Sequence, residues 1–252
     1  MKSYFILAIS ILISLVGQAQ NNAPKEPNEL LLATRQIDFI KQNGVFVRLR
    51  SLDRTYSELE KRGMTGQIKN LREKEEALTK EIMTAFNSYF NFCKVYYFQA
   101  RDMAEIQKGN FALAKDSEGK SPSLAGTEFY FIDPYNAETK STNTSSTGLT
   151  VLSADNKALF HPFPSVLLKR WGPFYITYDQ LIYKLNYKFN ELAFVREKMK
   201  EGGTLSKLAA KNQEELTYLE RNTLRSEYLQ YSKSYRRANP KSNKPKNRNS
   251  GY

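Results

Sequence analysis

The strongest constraint on the fold is a change of hydrophobic period along residues 45–98. Val45, Phe46, Val47, Arg48, Leu49 and Arg50 alternate as a strand does. Val45, Val47 and Leu49 share one face, and Phe46, Arg48 and Arg50 the other. From Leu52 the apolar residues recur at helical spacing. Leu52, Tyr56 and Leu59 form a short stripe that stops at Gly63 and Gly66. Ile68, Leu71, Leu78, Ile82 and Phe86 form a longer one. Glu75 falls on that stripe as its single polar member. The opposite face carries Lys69, Arg72, Glu73, Lys74, Glu76, Lys80 and Glu81, a solvated surface of mixed sign. Residues 90–98 follow, a dense aromatic run that holds the only cysteine, Cys93. We read this run as a strand at the centre of the sheet. Its second half does not alternate, so both of its faces should be covered. A strand, helix, strand unit crosses over right-handed, which makes the two strands parallel neighbours.

The remaining chain supplies the flanks. Residues 30–39 have a helical pattern, and Asn43-Gly44 marks a turn into the first strand. Asp102 is placed to cap a short helix over 103–108, and residues 112–126 read as loop. Phe129, Tyr130, Phe131 and Ile132 form a strand closed by Asp133-Pro134. Residues 137–148 are rich in Ser, Thr and Asn and read as an exposed loop. Residues 149–153 and 157–160, about the turn Ala154-Asp155-Asn156, make a hairpin. Leu181, Ile182, Leu185, Phe189, Leu192, Val195 and Met199 give a helix capped by Asp179 and stopped at Gly202-Gly203. Thr204 caps a further helix to about 237. Its stripe slips by five residues between Leu219 and Leu224, which argues against a uniform coiled coil.

This order predicts an α/β protein: a single domain with a mixed, partly parallel sheet flanked by helices, plus a C-terminal helical extension. The expected divisions are a leader over 1–19, a linker over 20–29, the α/β domain over 30–203, an amphipathic helix over 204–237 and a disordered basic tail over 238–252. A strand-helix-strand unit followed by a hairpin and a closing helix resembles the thioredoxin fold in topology. That family's redox chemistry uses Cys-x-x-Cys at the start of the first long helix. Here the corresponding residues are Ser51-Leu52-Asp53-Arg54, so the resemblance implies no redox activity.

The leader reading rests on Lys2, a nearly unbroken apolar run over 4–16, and the small-x-small site Gly17-Gln18-Ala19. Cleavage after Ala19 would leave Gln20 first and send the chain to the periplasm or outside the cell. No later stretch reaches the ~20 apolar residues of a spanning helix. A single cysteine excludes an internal disulfide. Phe92-Cys93-Lys94-Val95-Tyr96-Tyr97-Phe98, His161-Pro162-Phe163-Pro164 and Lys184-Leu185-Asn186-Tyr187-Lys188-Phe189 resemble a family of uncharacterised exported proteins of Bacteroidota. The resemblance covers about residues 45–199 and implies no activity.

The candidates for chemistry are few. Cys93 as a nucleophile needs a base, and His161 is the only histidine; Asp133 or Asp155 would orient it. A cysteine in so apolar a run is expected to be buried and inert. No metal-ligand spacing, Gly-rich phosphate loop or Gly-x-Ser-x-Gly is present, so no metal and no cofactor is expected. The formal charge of +12 favours anionic partners. Lys233, Arg236, Arg237, Lys241, Lys244, Lys246 and Arg248 are the candidate anion-binding residues, for an anionic surface or polyanion. The 204–237 helix is the candidate surface for a protein partner. The leading expectation is an exported, non-enzymatic binding or structural protein of the cell envelope. The alternative is a hydrolase with its site near His161.

Overall fold

Asn28 starts the first helix. Its Oδ1 accepts the backbone N–H of Leu30 at 2.9 Å, satisfying one of the donors that a helix leaves unpaired in its first turn. That helix, α1 (Glu29–Asn43), buries Leu30, Ala33, Ile37 and Ile40. Gly44 ends it at φ +88°. A Cβ there would sit 2.7 Å from a ring carbon of Tyr96 and 2.9 Å from the Lys94 carbonyl oxygen, so only glycine fits this turn. The chain then enters β1 (Val45–Leu49). The computed structural model describes residues 28–135, 137–138, 145–146, 148–159, 163, 166–167, 176–240 and 245. The expected leader lies outside them.

The helix after β1 is two helices. α2 (Asp53–Lys61) buries no residue, whereas α3 (Thr65–Tyr89) buries Ile68, Ile82, Ala85 and Phe86. Glu75, the polar member of the α3 stripe, accepts a hydrogen bond from the Tyr56 hydroxyl. The flaw in the stripe is therefore the clamp that ties α2 to α3.

The run over 90–98 departs from the expectation. Its first half is a turn, and only β2 (Val95–Gln99) is strand. The Phe90 N–H closes onto the Phe86 carbonyl at 2.9 Å and ends α3. The N–H groups of Asn91 and Phe92 both donate to Asn186 Oδ1, at 3.0 Å each. With those donors taken by a side chain, the segment has none to give a neighbouring strand. Nor is β2 central. The sheet order is β2-β1-β3-β6-β7, which puts β2 at an edge. Both faces of β2 are nevertheless covered, as expected: Tyr97 packs on one side, Tyr96 and Phe98 on the other. Its outer side is met by Lys115, which exchanges two backbone hydrogen bonds with Tyr97, at 2.7 and 3.0 Å.

Beyond β2 come α4 (Met103–Gln107), β3 (Tyr130–Asp133), the small ribbon β4 (Ala137–Glu138) with β5 (Ser145–Ser146), then β6 (Gly148–Ser153) and β7 (Val166–Leu167). Asp102 makes no capping bond from its side chain; a 3₁₀ turn leads into α4 instead. β1 is parallel to both β2 and β3, while β3–β6 and β6–β7 are antiparallel. The return after β6 turns at Asn156, in the left-handed region at φ +61°, and the Leu159 N–H reaches the Val151 carbonyl at 2.8 Å.

α5 (Tyr178–Lys200) buries every residue of its expected stripe. Its N-cap is Thr177, whose Oγ1 accepts from the Gln180 N–H; Asp179 lies inside the first turn. The single helix expected over 204–237 is broken into α6 (Thr204–Ala209) and α7 (Tyr218–Ala238). Thr217 and Glu220 form a reciprocal capping box that starts a new helix. The break also resolves the slipped stripe: Leu216 is buried in the connection, Leu219 is exposed, and Leu224, Tyr228 and Tyr231 pack from α7. Leu205 and Ala209 join the same core as the sheet, so the extension is built into the domain.

The fold is thus α/β, with a mixed sheet between two unlike layers. Val45, Val47, Leu49, Tyr97, Ile132, Leu149 and Val151 face α1, α3, α5 and α6. Phe46, Tyr96, Phe98, Phe131 and Leu152 face Ile106, Phe111 and Phe129, which lie on α4, 3₁₀ turn and loop. Among the described residues no helix is long and apolar enough to cross a membrane.

Candidate functional site

Cys93 sits in the turn before β2, partly buried against the helix-side core. Burial pushes its thiol far above the ordinary range, and a hydrogen bond involving the Val45 backbone offsets little of this. The thiolate needed for nucleophilic attack is absent at neutral pH. His161 lies outside the described residues. Two residues on, Phe163 is buried with its ring 5.8 Å from that of Phe189, nearly edge-on. Asp133 closes the carboxyl end of β3, whereas Cys93 precedes the amino end of β2. Both strands run parallel to β1, so the two groups lie at opposite ends of the sheet. Asp155 is held by Lys157 and Ser153 in its turn, and these hydrogen bonds pull its carboxyl down to about 2.

The basic candidates divide. Lys233 and Arg237 are exposed on α7. Arg236 is committed: its Nη2 and Nε donate to Glu191 Oε1 at 2.8 and 3.2 Å. Glu191, fully buried on α5, also accepts from the Ser232 hydroxyl and from Lys188 Nζ at 3.0 Å. Burial pushes the Glu191 carboxyl up, but the three donors outweigh it and hold it below the usual glutamate range. This cluster fastens α7 to α5. Lys241, Lys244, Lys246 and Arg248 lie outside the described residues. Pro245 between them is described, and its carbonyl accepts from Gln180 Nε2 at 3.3 Å.

The arrangement with the clearest chemical capacity was not among the expected sites. β1 is flanked by β2 on one side and β3 on the other: the chain crosses from β1 to β2 and then back past β1 to β3. Open α/β sheets of this kind bind ligands beyond the carboxyl ends of the parallel strands. A polar cavity of about 230 Å³ lies there, lined by Arg50 and Ser51 after β1, Gln99 and Arg101 at the end of β2, and Arg72, Glu75 and Thr79 on α3. Three guanidinium groups converge on it. Arg101 donates to Asp53 Oδ2 at 3.1 Å, and Ser51 Oγ donates to the same oxygen at 2.5 Å; these two hold the Asp53 carboxyl below its ordinary range. Arg72 stacks over the Tyr56 ring at 5.2 Å. Burial and the bond to Glu75 together push the Tyr56 phenol up to about 12, so it stays a donor. Neither Arg50 nor Arg72 enters an ion pair among the described residues. The wall also carries three carboxylates: Asp53 and Glu75 are engaged in hydrogen bonds, and Glu76 is exposed. The cavity therefore presents guanidinium donors, two of them outside any ion pair among the described residues, balanced in formal charge by the three carboxylates; the donors are suited to phosphate or carboxylate groups.

Beside it, Arg48 of β1 and buried Asp133 of β3 form a partly buried ion pair, with Arg48 also 5.1 Å over the Phe131 ring. Asp133 Oδ1 accepts the Tyr135 N–H, and the Tyr135 hydroxyl accepts the Arg50 N–H, each at 2.9 Å. This chain of bonds fixes the backbone that presents Arg50. The sequence signal available for the β1 side of the site was the row Arg50, Ser51 and Asp53 directly after an alternating strand.

No cluster of His, Cys, Asp or Glu among the described residues could hold a metal ion. Comparison with known proteins gives no match to a family model, a curated protein or a solved structure.

Proposed function

We propose that the protein is an exported, non-enzymatic binding module of the cell envelope, and that it takes a small phosphate- or carboxylate-bearing ligand at the carboxyl ends of β1 and β2. The observation that carries this is the convergence of Arg50, Arg72 and Arg101 on one polar cavity, two of them without an ion-pair partner among the described residues. The leader pattern over 1–19 and the resemblance to exported proteins of Bacteroidota support the location. The raised thiol of Cys93 supports binding over nucleophilic catalysis. The test is a titration with inorganic phosphate and, separately, a short dicarboxylate, followed by amide NMR shifts. Saturable shifts at Arg50, Ser51 and Arg101 are expected, weakened about tenfold by Arg50→Ala or Arg72→Ala, the loss of one charge-assisted contact. No saturable shift with either probe ends the reading. N-terminal sequencing of the protein from its native host, expected to begin at Gln20, tests the export.

A second reading, a polyanion held along the C-terminal tail, is supported by the Gln180–Pro245 hydrogen bond, which puts Pro245 of the tail against α5. Deleting residues 239–252 and measuring heparin binding against salt separates it from the first, since the strand-end cavity is untouched.

A further inference from the structure

A second cavity, of about 460 Å³, opens between the start of α1 and α7. Leu30, Leu216, Leu224 and Tyr228 line it, and Arg221 and Arg225 stand at its edge. Leu30 and Leu216 are buried; Leu224 and Tyr228 are half-buried. Its size is within the range of small-molecule sites, and a mostly apolar wall with few convergent polar groups is their usual make-up.

Asn28 gives the cavity its specificity. The residue is 2% exposed and lines the cavity. Its Oδ1 is committed to the Leu30 N–H, which fixes the amide and leaves Nδ2, buried in the cavity wall, as the group without a bond. Nδ2 is the one buried side-chain polar atom among the described residues with no hydrogen-bond partner. Buried donors are almost always paired, so this amide calls for an acceptor from outside the fold. The charges agree. Arg221 gives Nε and Nη2 to the carbonyls of Leu216 and Gln213, at 3.1 and 3.2 Å, which pins its positive charge in place. Arg225 is exposed and makes no ion pair among the described residues. Glu29, the one carboxylate on the wall, already has a partner.

We infer that this cavity binds a monocarboxylate with an apolar chain, of fatty-acid type. The chain lies on Leu30, Leu216, Leu224 and Tyr228, and the carboxylate accepts from Asn28 Nδ2 and faces the two guanidinium groups. The site is separate from the strand-end cavity and shares no residue with it.

The probe is dodecanoate, titrated into the full chain by calorimetry, with its methyl ester and dodecanol as uncharged controls. Saturable one-to-one binding is expected, with the controls at least about tenfold weaker. Asn28→Asp keeps the helix cap, because Asp caps as well as Asn, but replaces the donor by an acceptor; it should weaken dodecanoate about tenfold or more. Arg225→Ala, at an exposed position that leaves folding intact, should weaken dodecanoate and not dodecanol. Arg50→Ala should leave dodecanoate binding unchanged. Non-saturating uptake, equal binding of ester and acid, or unchanged affinity in both Asn28→Asp and Arg225→Ala overturns the inference. The last outcome would assign the amide's partner to water.

Discussion

The two faces of the sheet are built on different principles. On one, three long helices and α6 bring Ile, Leu, Val and Ala at helical spacing, and the core is continuous from α1 to α6. On the other, no long helix lies among the described residues. A cover of short helix, 3₁₀ turn and loop is held by rings: Phe46 lies 5.2–6.3 Å from the rings of Tyr96, Phe98, Phe111 and Phe129, and Phe131 meets Phe98 and Phe129. A helix delivers apolar groups at regular intervals and needs only modest side chains. A loop delivers them irregularly, and large flat rings close the gaps while adding edge-to-face attraction. Part of the chain's high aromatic content therefore has a structural cause.

The sharpest way to break this comparison is Phe46→Ala. It should cost about 4 kcal/mol in urea unfolding, since a ring at the centre of four others leaves a cavity that loops fill poorly. Phe46→Leu against Ile82→Leu sharpens it: if rings matter beyond their area, the first should cost about 1 kcal/mol more. Next comes the polar end of the aromatic face. Asp133→Ala strands Arg48 and should cost about 3 kcal/mol, while Arg48→Met with Asp133→Leu together recovers most of it.

The helix side is tested through Glu191. Glu191→Gln at pH 7 should cost about 2 kcal/mol, because it weakens hydrogen bonds to charged donors on α7 and α5. The folded carboxyl titrates below its ordinary value of 4.5. Its stabilisation is therefore complete above that value and lost as pH falls through the lower, folded one. Urea unfolding at pH 7 and pH 3 should show this loss in the native chain and a smaller one in Glu191→Gln. The smallest effect is Thr217→Ala, about 1 kcal/mol, read as faster amide exchange in the first turn of α7.

The same contrast explains what the sequence made legible. The 3.6-residue stripes of α3 and α5, and the alternation of β1, translated directly into the helix face, because period reports which side of a regular element is buried. The parallel β1–β2 pair followed from the handedness of the crossover. The break at Thr217 had a local sign, Thr-x-x-Glu, which the continuing apolar stripe masked. The extent of β2 was hidden for a different reason: Phe90 and Phe92 are as apolar as a strand residue, but their backbone is claimed by the end of α3 and by Asn186, more than ninety positions away. The strand-end cavity was illegible for a similar cause. Arg50, Arg72 and Arg101 stand far apart in sequence, and only the sheet order brings them together. The expected pair of Cys93 and His161 came from scarcity of those residue types, which carries no spatial information.

The meeting of Tyr97 with Lys115 bears on how copies of this protein behave toward one another. In a parallel edge strand every second residue turns both its backbone groups outward, and in β2 those residues are 95, 97 and 99. An unguarded edge of this kind recruits strands from other molecules and seeds aggregates. Because residue 115 occupies the middle position with both of its own groups, an incoming strand would meet only two isolated positions, separated by a blocked one. One residue from a long loop thus guards the β2 edge of the sheet.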